Sequence, residues 1–402
     1  MLIIFTFEVF ISKEFYIFKK KFFIVSVIFV TYLVIITYLN NSLTNTLKAF
    51  FLFRFFLIPL IFYYFFQRID FDKKKILIYY SFILIFLSLD LLFQKIFNFN
   101  FLGFKPSLWN DTYGYERYAG FFDQELIAGG YLVNFGIIST IIYISIFNYT
   151  KKNLTIFFSI FTFVLIGIYI TGDRTPIIIL LSFIVLGIIF FKKIRIIFIP
   201  IFSILIVCLI IGINLIDIMK ARFIDYPYSR LFEQNFSVKG YEVVNENNQY
   251  YKKILRNNPW GRHYLVSFEM ILAKPYFGHG LKSFRKYCKD YNYTLDVKYK
   301  SNKDIKIIHL DGCSTHPHNY ILEIILDSGL IGLILIITIF FFVLQLAFKS
   351  TSNKLYVLNM IMFIMALTSP FKPSGSFFSS WTSAMLWFMI ALIYLFTKKK
   401  QT

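Results

Sequence analysis

Long runs without charged residues recur along almost the whole of this 402-residue chain. A helix of about 20 such residues crosses roughly 30 Å of hydrocarbon. Because 57% of the residues are hydrophobic, a water-soluble core cannot bury them all. The sequence therefore predicts an all-α polytopic membrane protein. Its length and charge pattern predict about ten transmembrane helices, at roughly 22–39, 48–66, 76–97, 125–148, 154–171, 177–191, 196–215, 319–348, 355–370 and 381–397.

Clusters of basic residues mark every second connection between these predicted helices. Short connections rich in lysine and arginine stay on the cytoplasmic side of a membrane. The alternation predicts that both termini are cytoplasmic and that the remaining connections are external. Segment 1–18 is left open, because it either lies along the interface or adds a further span, which would give 11 or 12. The clusters lie at 19–21, 73–75, 151–152, 192–195, 349–354 and 398–400.

One external connection, at about 216–315, is far longer than the others. A structureless loop of that length is uncommon in a compact protein, so we expect a folded external insert. Within it, residues 264–273 show helical periodicity and end before a proline. The predicted organisation is an N-terminal membrane part (1–215), a large helical loop domain (216–315) and a C-terminal membrane part (316–402).

Charge and cysteine content exclude several classes of protein. The formal net charge is +20, but the basic residues flank apolar runs, as membrane topology requires, which argues against nucleic-acid binding. The sequence has no dinucleotide fingerprint, Walker loop, H-E-x-x-H motif or paired-cysteine metal motif, so neither a metal nor another cofactor is predicted. Cys288 and Cys313 share the external insert, where a disulfide and two unpaired thiols both remain open.

Two histidines precede the eighth predicted helix. A neutral imidazole accepts a proton from a sugar hydroxyl near pH 7, which makes His318 the first candidate for catalysis. Asn319 and Glu323 are candidates to orient it, and their four-residue spacing places them on one helix face. The alternative is that His316 and His318 merely cap the start of the helix.

Arginines at apolar boundaries are candidates for binding an anion. Arg174 lies in a tight turn between two apolar runs, where facing lipid at depth costs roughly 3 kcal/mol or more. A guanidinium grips phosphate oxygens bidentately, so an inward-facing Arg174 suits a phosphate, the alternative being an ion pair with Asp173. Arg262 in the insert is a second phosphate candidate. Arg117 is a third; it lies among aromatic residues, for which an ordinary place in the interfacial belt is favoured. For Arg54, within the second run, a structural role is favoured.

The sequence His316-Pro317-His318-Asn319, followed by Gly329-x-x-Gly332, resembles the H-x-H-N signature of the O-antigen ligase and O-antigen polymerase superfamily. Three further stretches match that pattern in order: Arg117–Phe121, Thr171–Arg174 and Arg262–Phe284. Two residues depart from it. Asp173 precedes the arginine where serine is common, and Asp327 stands where glutamate is commoner.

The resemblance implies a GT-C-like enzyme of the bacterial inner membrane with a periplasmic active site. Such an enzyme is metal-independent and inverting, and transfers a glycan from a polyprenyl-pyrophosphate donor to lipid A-core or to a lipid-linked glycan. A ligase is the first prediction and a polymerase the alternative; a protein O-oligosaccharyltransferase and a lipid or anion transporter are less favoured. The implied catalytic residues are His318, Arg174 and Arg262, and the predicted substrate-binding residues are Arg117, His316, Asn319 and Glu323.

Overall fold

The computed structural model is predominantly helical. It describes residues 2–108, 116–147, 150–192, 195–215, 220, 223–224, 241–243, 259–291, 295–300, 305–310, 312–370 and 372–398. We number the α-helices of this described part α1 (Leu2–Ile11), α2 (Lys21–Asn40), α3 (Leu43–Phe51), α4 (Phe53–Arg68), α5 (Lys73–Phe97), α6 (Ala128–Ile146), α7 (Lys151–Thr171), α8 (Arg174–Phe190), α9 (Arg195–Leu215), α10 (Pro259–Ala273), α11 (Ser283–Tyr287), α12 (Tyr320–Ser350), α13 (Lys354–Leu367) and α14 (Ser380–Ala391).

Short strands complete the secondary structure of the described residues. They are β1 (Ser107–Leu108), β2 (Glu116–Arg117), β3 (Tyr241–Val243), β4 (Leu295–Lys300) and β5 (Ile305–Leu310). β1 pairs with β2, and β3, β4 and β5 form an antiparallel sheet in that order.

Every apolar run singled out in the sequence contains a helix. Within the described residues, seven helical stretches are long and apolar enough to cross a membrane, the second of them comprising α3 and α4 together. Three shorter apolar helices, α8, α13 and α14, accompany them. The chain is a multi-pass helical membrane protein, whereas the count of ten spans and the GT-C relationship stay predictions.

The N-terminal segment, left open by the sequence, folds back on α4. It forms α1 and a 3₁₀ helix, Phe15–Lys19. Phe5 is buried, and its ring meets Tyr64 edge to face at 5.3 Å between centroids. Glu14 forms an ion pair with Arg68 at the end of α4. With ten residues, about 15 Å long, α1 is too short to cross a bilayer by itself.

The chain forms two compact units that interleave along the sequence. The first comprises Met1–Asp70, Gln234–Val357 and Pro370–Thr402, and the second comprises Phe71–Glu233 and Leu358–Ser369. The division at 215 and 315 that the sequence suggested stays a prediction.

In the first unit, α2 packs along α12, and α4 packs along α14. Trp387 of α14 is fully buried, with its ring 4.6 Å from that of Phe56. Arg54 donates a hydrogen bond to Ser380 at 3.1 Å at the start of α14. In the second unit, α5, α6 and α7 pack on one another, and α8 lies against α6 and α9.

The described part of the external insert is only partly helical. The helix expected at 264–273 is present as α10 and ends at Ala273, as predicted. The sheet β3–β4–β5 departs from the helical insert that the sequence suggested. The alternation of apolar and polar residues in β4, Leu-Asp-Val-Lys-Tyr-Lys, is typical of a strand. Most of 216–258 lies outside the described residues.

A disulfide joins two parts of the insert, the end of α11 and the segment just before α12. Cys288 and Cys313 are bonded, with their Cα atoms 5.5 Å apart. This decides between the two alternatives that the sequence left open. Cys288 is buried in a small core with Val266, Met270, Phe284 and Leu326.

Candidate active site

The helix that carries the histidine motif is broken. Gly329 of α12 has φ 67° and ψ −176°, a backbone region that is essentially restricted to glycine. A Cβ atom at this position would overlap the carbonyl group of Tyr276. The break divides α12 into a short half that carries the motif and a long apolar half.

Breaking a helix leaves carbonyl groups on one side and N–H groups on the other without partners. Residues 275–280 of the external insert supply both kinds. On the short half, the carbonyls of Leu326 and Asp327 accept from the N–H groups of His279 and Gly280, each at 2.9 Å. On the long half, the N–H groups of Leu330 and Ile331 donate to the carbonyls of Pro275 and Tyr276, at 2.9 and 3.3 Å.

Asp327 links the break in α12 to the start of α11. Its buried carboxylate accepts from the N–H groups of Lys282 and Ser283 at 2.9 and 3.2 Å, and from the Ser283 hydroxyl at 2.7 Å. The Tyr32 hydroxyl of α2 donates to the Ser328 carbonyl at 2.9 Å. These hydrogen bonds therefore hold Gly278–Ser283 of the insert against Asp327–Gly332 of α12, although the two segments are distant in sequence.

Asn319 begins the short half of α12 as its N-cap. Its Oδ1 accepts from the N–H groups of Ile321 and Leu322 at 3.0 and 3.2 Å, and its Nδ2 donates to the Pro370 carbonyl at 2.7 Å. Both ends of the Asn319 amide are thus used to start the helix and to attach the following loop. Its predicted part in binding substrate stays a prediction.

His318 lies immediately before this cap, within a cluster of aromatic rings. Its backbone is left-handed, with φ 55°, and its carbonyl accepts from the N–H of Ser374 at 2.8 Å. The His318 ring centroid lies 4.0 Å from that of His316, 4.4 Å from Trp260 and 5.3 Å from His263. Two elements, the 316–318 turn and α10, therefore build one imidazole cluster.

The electrostatics of the cluster favour neutral imidazoles. Burial lowers the pKa of His318 to about 3, helped by the nearby His316 and His263 and opposed by the backbone of Ser374. Burial likewise lowers the pKa of His316, opposed by the Ser374 backbone, while His263 and Arg285 lower it further. At neutral pH both rings are uncharged and able to accept a proton.

The loop that follows α13 packs against the start of α12. Glu323, buried one turn into α12, accepts from the Ser376 hydroxyl and from the Phe377 N–H, each at 2.6 Å. Lys372 of this loop is only 4% exposed, and its ammonium lies 5.8 Å from the ring centroid of Tyr320. Burial lowers the pKa of Lys372 to about 8.

The predicted arginines are divided between the two units. Arg262 belongs to the first unit, where it is buried on α10. Arg117 and Arg174 belong to the second unit. Arg117 forms an ion pair with Asp173, next to Arg174 at the first position of α8. Each unit thus contains a candidate anion-binding group, and their action on a common substrate stays a prediction.

The family model for O-antigen ligase matches residues 157–337. The matched segment contains Arg174, Arg262 and the His316–Asn319 motif. The chain therefore contains a segment that is similar to the O-antigen ligase family. The resemblance recognised in the sequence is thereby confirmed. A comparison with curated proteins finds no match.

Three residues near this motif are not singled out by the sequence alone. Trp260 and His263 flank His318, and Lys372 lies near the start of α12. In sequence, Trp260 and His263 stand out only as neighbours of Arg262, although their spacing puts them on adjacent turns of one helix. Lys372 has no sequence signal beyond a lysine between two prolines in a short connection.

Proposed function

We propose that this protein is a membrane glycosyltransferase in which His318 is the general base. The donor is a polyprenyl-pyrophosphate-linked glycan and the acceptor is a hydroxyl group, that of lipid A-core in the first instance. The match of residues 157–337 to the O-antigen ligase family model supports the reaction class. The observation that carries the assignment is the neutral His318 ring, clustered with Trp260, His263 and His316 at the start of a broken membrane helix.

In this reaction His318 accepts the proton of the acceptor hydroxyl. The hydroxyl oxygen then forms a bond to the anomeric carbon of the donor sugar from the face opposite the pyrophosphate. The bond from that carbon to the pyrophosphate oxygen breaks, so the configuration inverts and polyprenyl pyrophosphate leaves. Arg262, and Arg174 with Arg117 from the second unit, would stabilise the charge of the leaving group, which is typically worth a few kcal/mol per donor.

The low pKa of His318 has a consequence for the order of events. Before the donor binds, the imidazole is neutral but a weak base, because burial and its imidazole neighbours disfavour the cation. A pyrophosphate close by raises the pKa of His318, because an opposite charge favours the protonated form. Donor binding would therefore strengthen the base before the acceptor is deprotonated.

Replacing His318 tests this role directly. In a purified, reconstituted assay with a lipid-linked donor, we expect His318→Ala to reduce transfer about 10²- to 10⁴-fold, because general-base catalysis contributes that much. Thermal stability should change little. A retained rate would refute the role.

His279→Ala is the matched control, because His279 is buried and its ring donates to the Met270 carbonyl at 2.7 Å. It should lower thermal stability while the folded fraction keeps its turnover. The two histidine variants are thus expected to show opposite phenotypes.

The acceptor is decided by deleting the protein and separating surface glycans on a gel. Loss of every long chain from lipid A, with polymer accumulating on the carrier, identifies a ligase of the bacterial inner membrane. Single repeats on lipid A identify a polymerase. Unchanged lipid A glycans with loss of glycosylated proteins would favour a protein O-oligosaccharyltransferase, and donor movement without transfer would favour a transporter.

The proposed placement is an inner-membrane protein with cytoplasmic termini and a periplasmic active site. It follows from the basic clusters and puts the insert, α10 and the start of α12 on the periplasmic side. Cysteine labelling at Thr315 and at Lys349 tests it. A membrane-impermeant reagent should label only Thr315→Cys in intact spheroplasts, and labelling of Lys349→Cys alone would reverse the orientation.

A further inference from the structure

Lys372 is a buried cation whose position the packing of the first unit does not explain. Only 4% of the residue is exposed. Within the part of the chain that the structure describes, it makes no ion pair, and its close partner is the Tyr320 ring. Taking an ammonium out of water without a counter-ion is costly, and a cation–π contact offsets only part of that. A buried charge of this kind indicates a site for a partner of opposite sign.

The loop that carries Lys372 is held in place on both sides of it. Pro370 accepts a hydrogen bond from Asn319, and Ser374 donates one to the His318 carbonyl. Further along, Ser376 and Phe377 are bonded to Glu323. The ammonium is thus fixed beside the start of α12 and not carried on a free surface loop.

Other cations surround the same region. The charge of Arg285 acts on His316, and the charge of Lys282 acts on Glu323. The carboxylates that face this side are already used, since Glu323 accepts two hydrogen bonds from the 376–377 segment and Asp327 accepts three from Lys282 and Ser283. The local surplus is positive, which suits an anion with several oxygens.

We propose that Lys372 is a phosphate-binding residue and that, together with the His316–His318 turn, it holds a pyrophosphate group at the start of α12. The identity of that group as part of the lipid donor rests on the proposed function, whereas the site itself does not. Inorganic pyrophosphate and the diphosphate of a lipid share the chemistry that this site recognises.

Lys372→Met is the decisive variant, because methionine fills a similar volume without the charge. We expect the affinity for inorganic pyrophosphate, measured by calorimetry on the purified full chain, to fall at least tenfold. We also expect the melting temperature without ligand to stay the same or rise, since an unpaired buried charge is removed. A residue that only supports the fold would show the opposite pattern, a lower melting temperature with unchanged affinity.

Lys349→Met is the matched control. Lys349 is an exposed lysine in the last turn of α12, far along the helix from the proposed site at its start. Replacing it by methionine removes the same single positive charge. It should leave both the affinity and the melting temperature unchanged. An equal loss of affinity in the two variants would mean that pyrophosphate responds only to net charge, and would overturn the proposal.

The pH dependence of binding gives a second readout. Burial lowers the pKa of Lys372 to about 8, so above pH 8 the ammonium loses its proton when no anion is bound, while pyrophosphate keeps or gains negative charge. Affinity should therefore fall between pH 7.5 and 9. The titratable and charged groups around this loop are His316, His318, Tyr320, Glu323, Lys282 and Arg285. The two histidines are already neutral in this range, because burial lowers their pKa values. Burial also lowers the pKa of Lys282, so the part of the fall that belongs to Lys372 is the part that is absent from Lys372→Met. Affinity that rises over this range would contradict the site.

Two further measurements separate this inference from the proposed function: glycan transfer by the wild type, and binding of a polyprenyl diphosphate. If Lys372→Met loses pyrophosphate binding but the wild-type protein transfers no glycan, the phosphate site stands and the glycosyltransferase assignment fails. If the wild type transfers glycan and Lys372→Met binds pyrophosphate as the wild type does, only the inference fails. If a polyprenyl diphosphate binds and inorganic pyrophosphate does not, the lipid tail and not Lys372 provides the recognition, which also overturns it.

Discussion

Arg117 and Lys372, one buried cation from each compact unit, differ in their partners. In the second unit Arg117 is paired with Asp173, and the Asp90 carboxylate accepts from the Phe101 N–H at 3.0 Å. In the first unit Lys372 is buried without an ion pair among the described residues, and His318 stays neutral between other rings. Paired charges are accounted for by the fold, whereas an unpaired one indicates a ligand. The comparison singles out Lys372 as the buried cation of the two for which the described residues offer no counter-ion.

The helices of the two units differ in their continuity. α5, α6 and α7 run without interruption and line a half-open cavity of about 400 Å³, whose surface is mostly apolar and includes Leu77, Phe82 and Phe157. α12 is interrupted at Gly329, where backbone groups bond to the insert. Non-helical backbone at membrane depth is tolerated only where protein supplies its hydrogen bonds, and it is typical of binding sites in membrane proteins.

The largest expected effect comes from filling the break. Gly329→Ala places a Cβ on the Tyr276 carbonyl and forces a backbone region that alanine avoids, so we expect a loss of about 4 kcal/mol or more. In practice little folded protein should be recovered, as measured by size-exclusion chromatography in detergent.

The matched glycine lies in the second unit. At Gly130 of α6 an added Cβ would meet no atom within 4 Å, and alanine is favoured over glycine inside a helix by about 1 kcal/mol. Gly130→Ala should therefore be folded and as stable as the wild type, or slightly more so. If both glycine variants behaved alike, the contrast between a broken and a continuous helix would have no energetic basis.

The ion pair of the second unit gives the next largest effect. Arg117→Met removes the ion pair of the mostly buried Asp173 carboxylate, and breaking such a pair typically costs about 3 kcal/mol or more. The double variant with Asp173→Leu should regain most of that stability, as judged by melting temperature. Glycan transfer in the double variant then separates the two roles of Arg117. Normal transfer would show that Arg117 is structural, and lost transfer at normal stability would support the predicted contact with substrate.

Membrane helices were predictable because a single local property, a long run without charge, defines them. The helix expected at 22–39 is α2, which spans 21–40, and the helix expected at 319–348 is α12, which spans 320–350. The break at Gly329 was not predictable in this way. It is held by hydrogen bonds from 275–280, and no pattern within α12 itself shows where those partners come from.

The site shows the same limit. His318 could be predicted as a candidate because its motif is local and resembles a known family, and Arg262 lies in the same unit on the helix that carries Trp260 and His263. Lys372 was not found, since its burial depends on a loop that folds back onto the start of α12. From the sequence alone, a lysine in a short connection between membrane helices is expected to be exposed to solvent, whereas Lys372 is buried.

The smallest effect tests the neutral imidazole itself. An unfolded histidine has a pKa of about 6.5, whereas burial lowers the pKa of His318 to about 3. Between these values the unfolded state binds a proton that the folded state does not, so acidification favours unfolding. Because the ring is partly exposed and solvent screens its charge, we expect the loss to be below about 1 kcal/mol per pH unit. His316 adds a slope of the same sign, so the measurement is the difference in melting temperature between wild type and His318→Gln from pH 7 to 5.5. The wild type should lose stability faster, and parallel curves would show that the folded state protonates His318 as readily as the unfolded one.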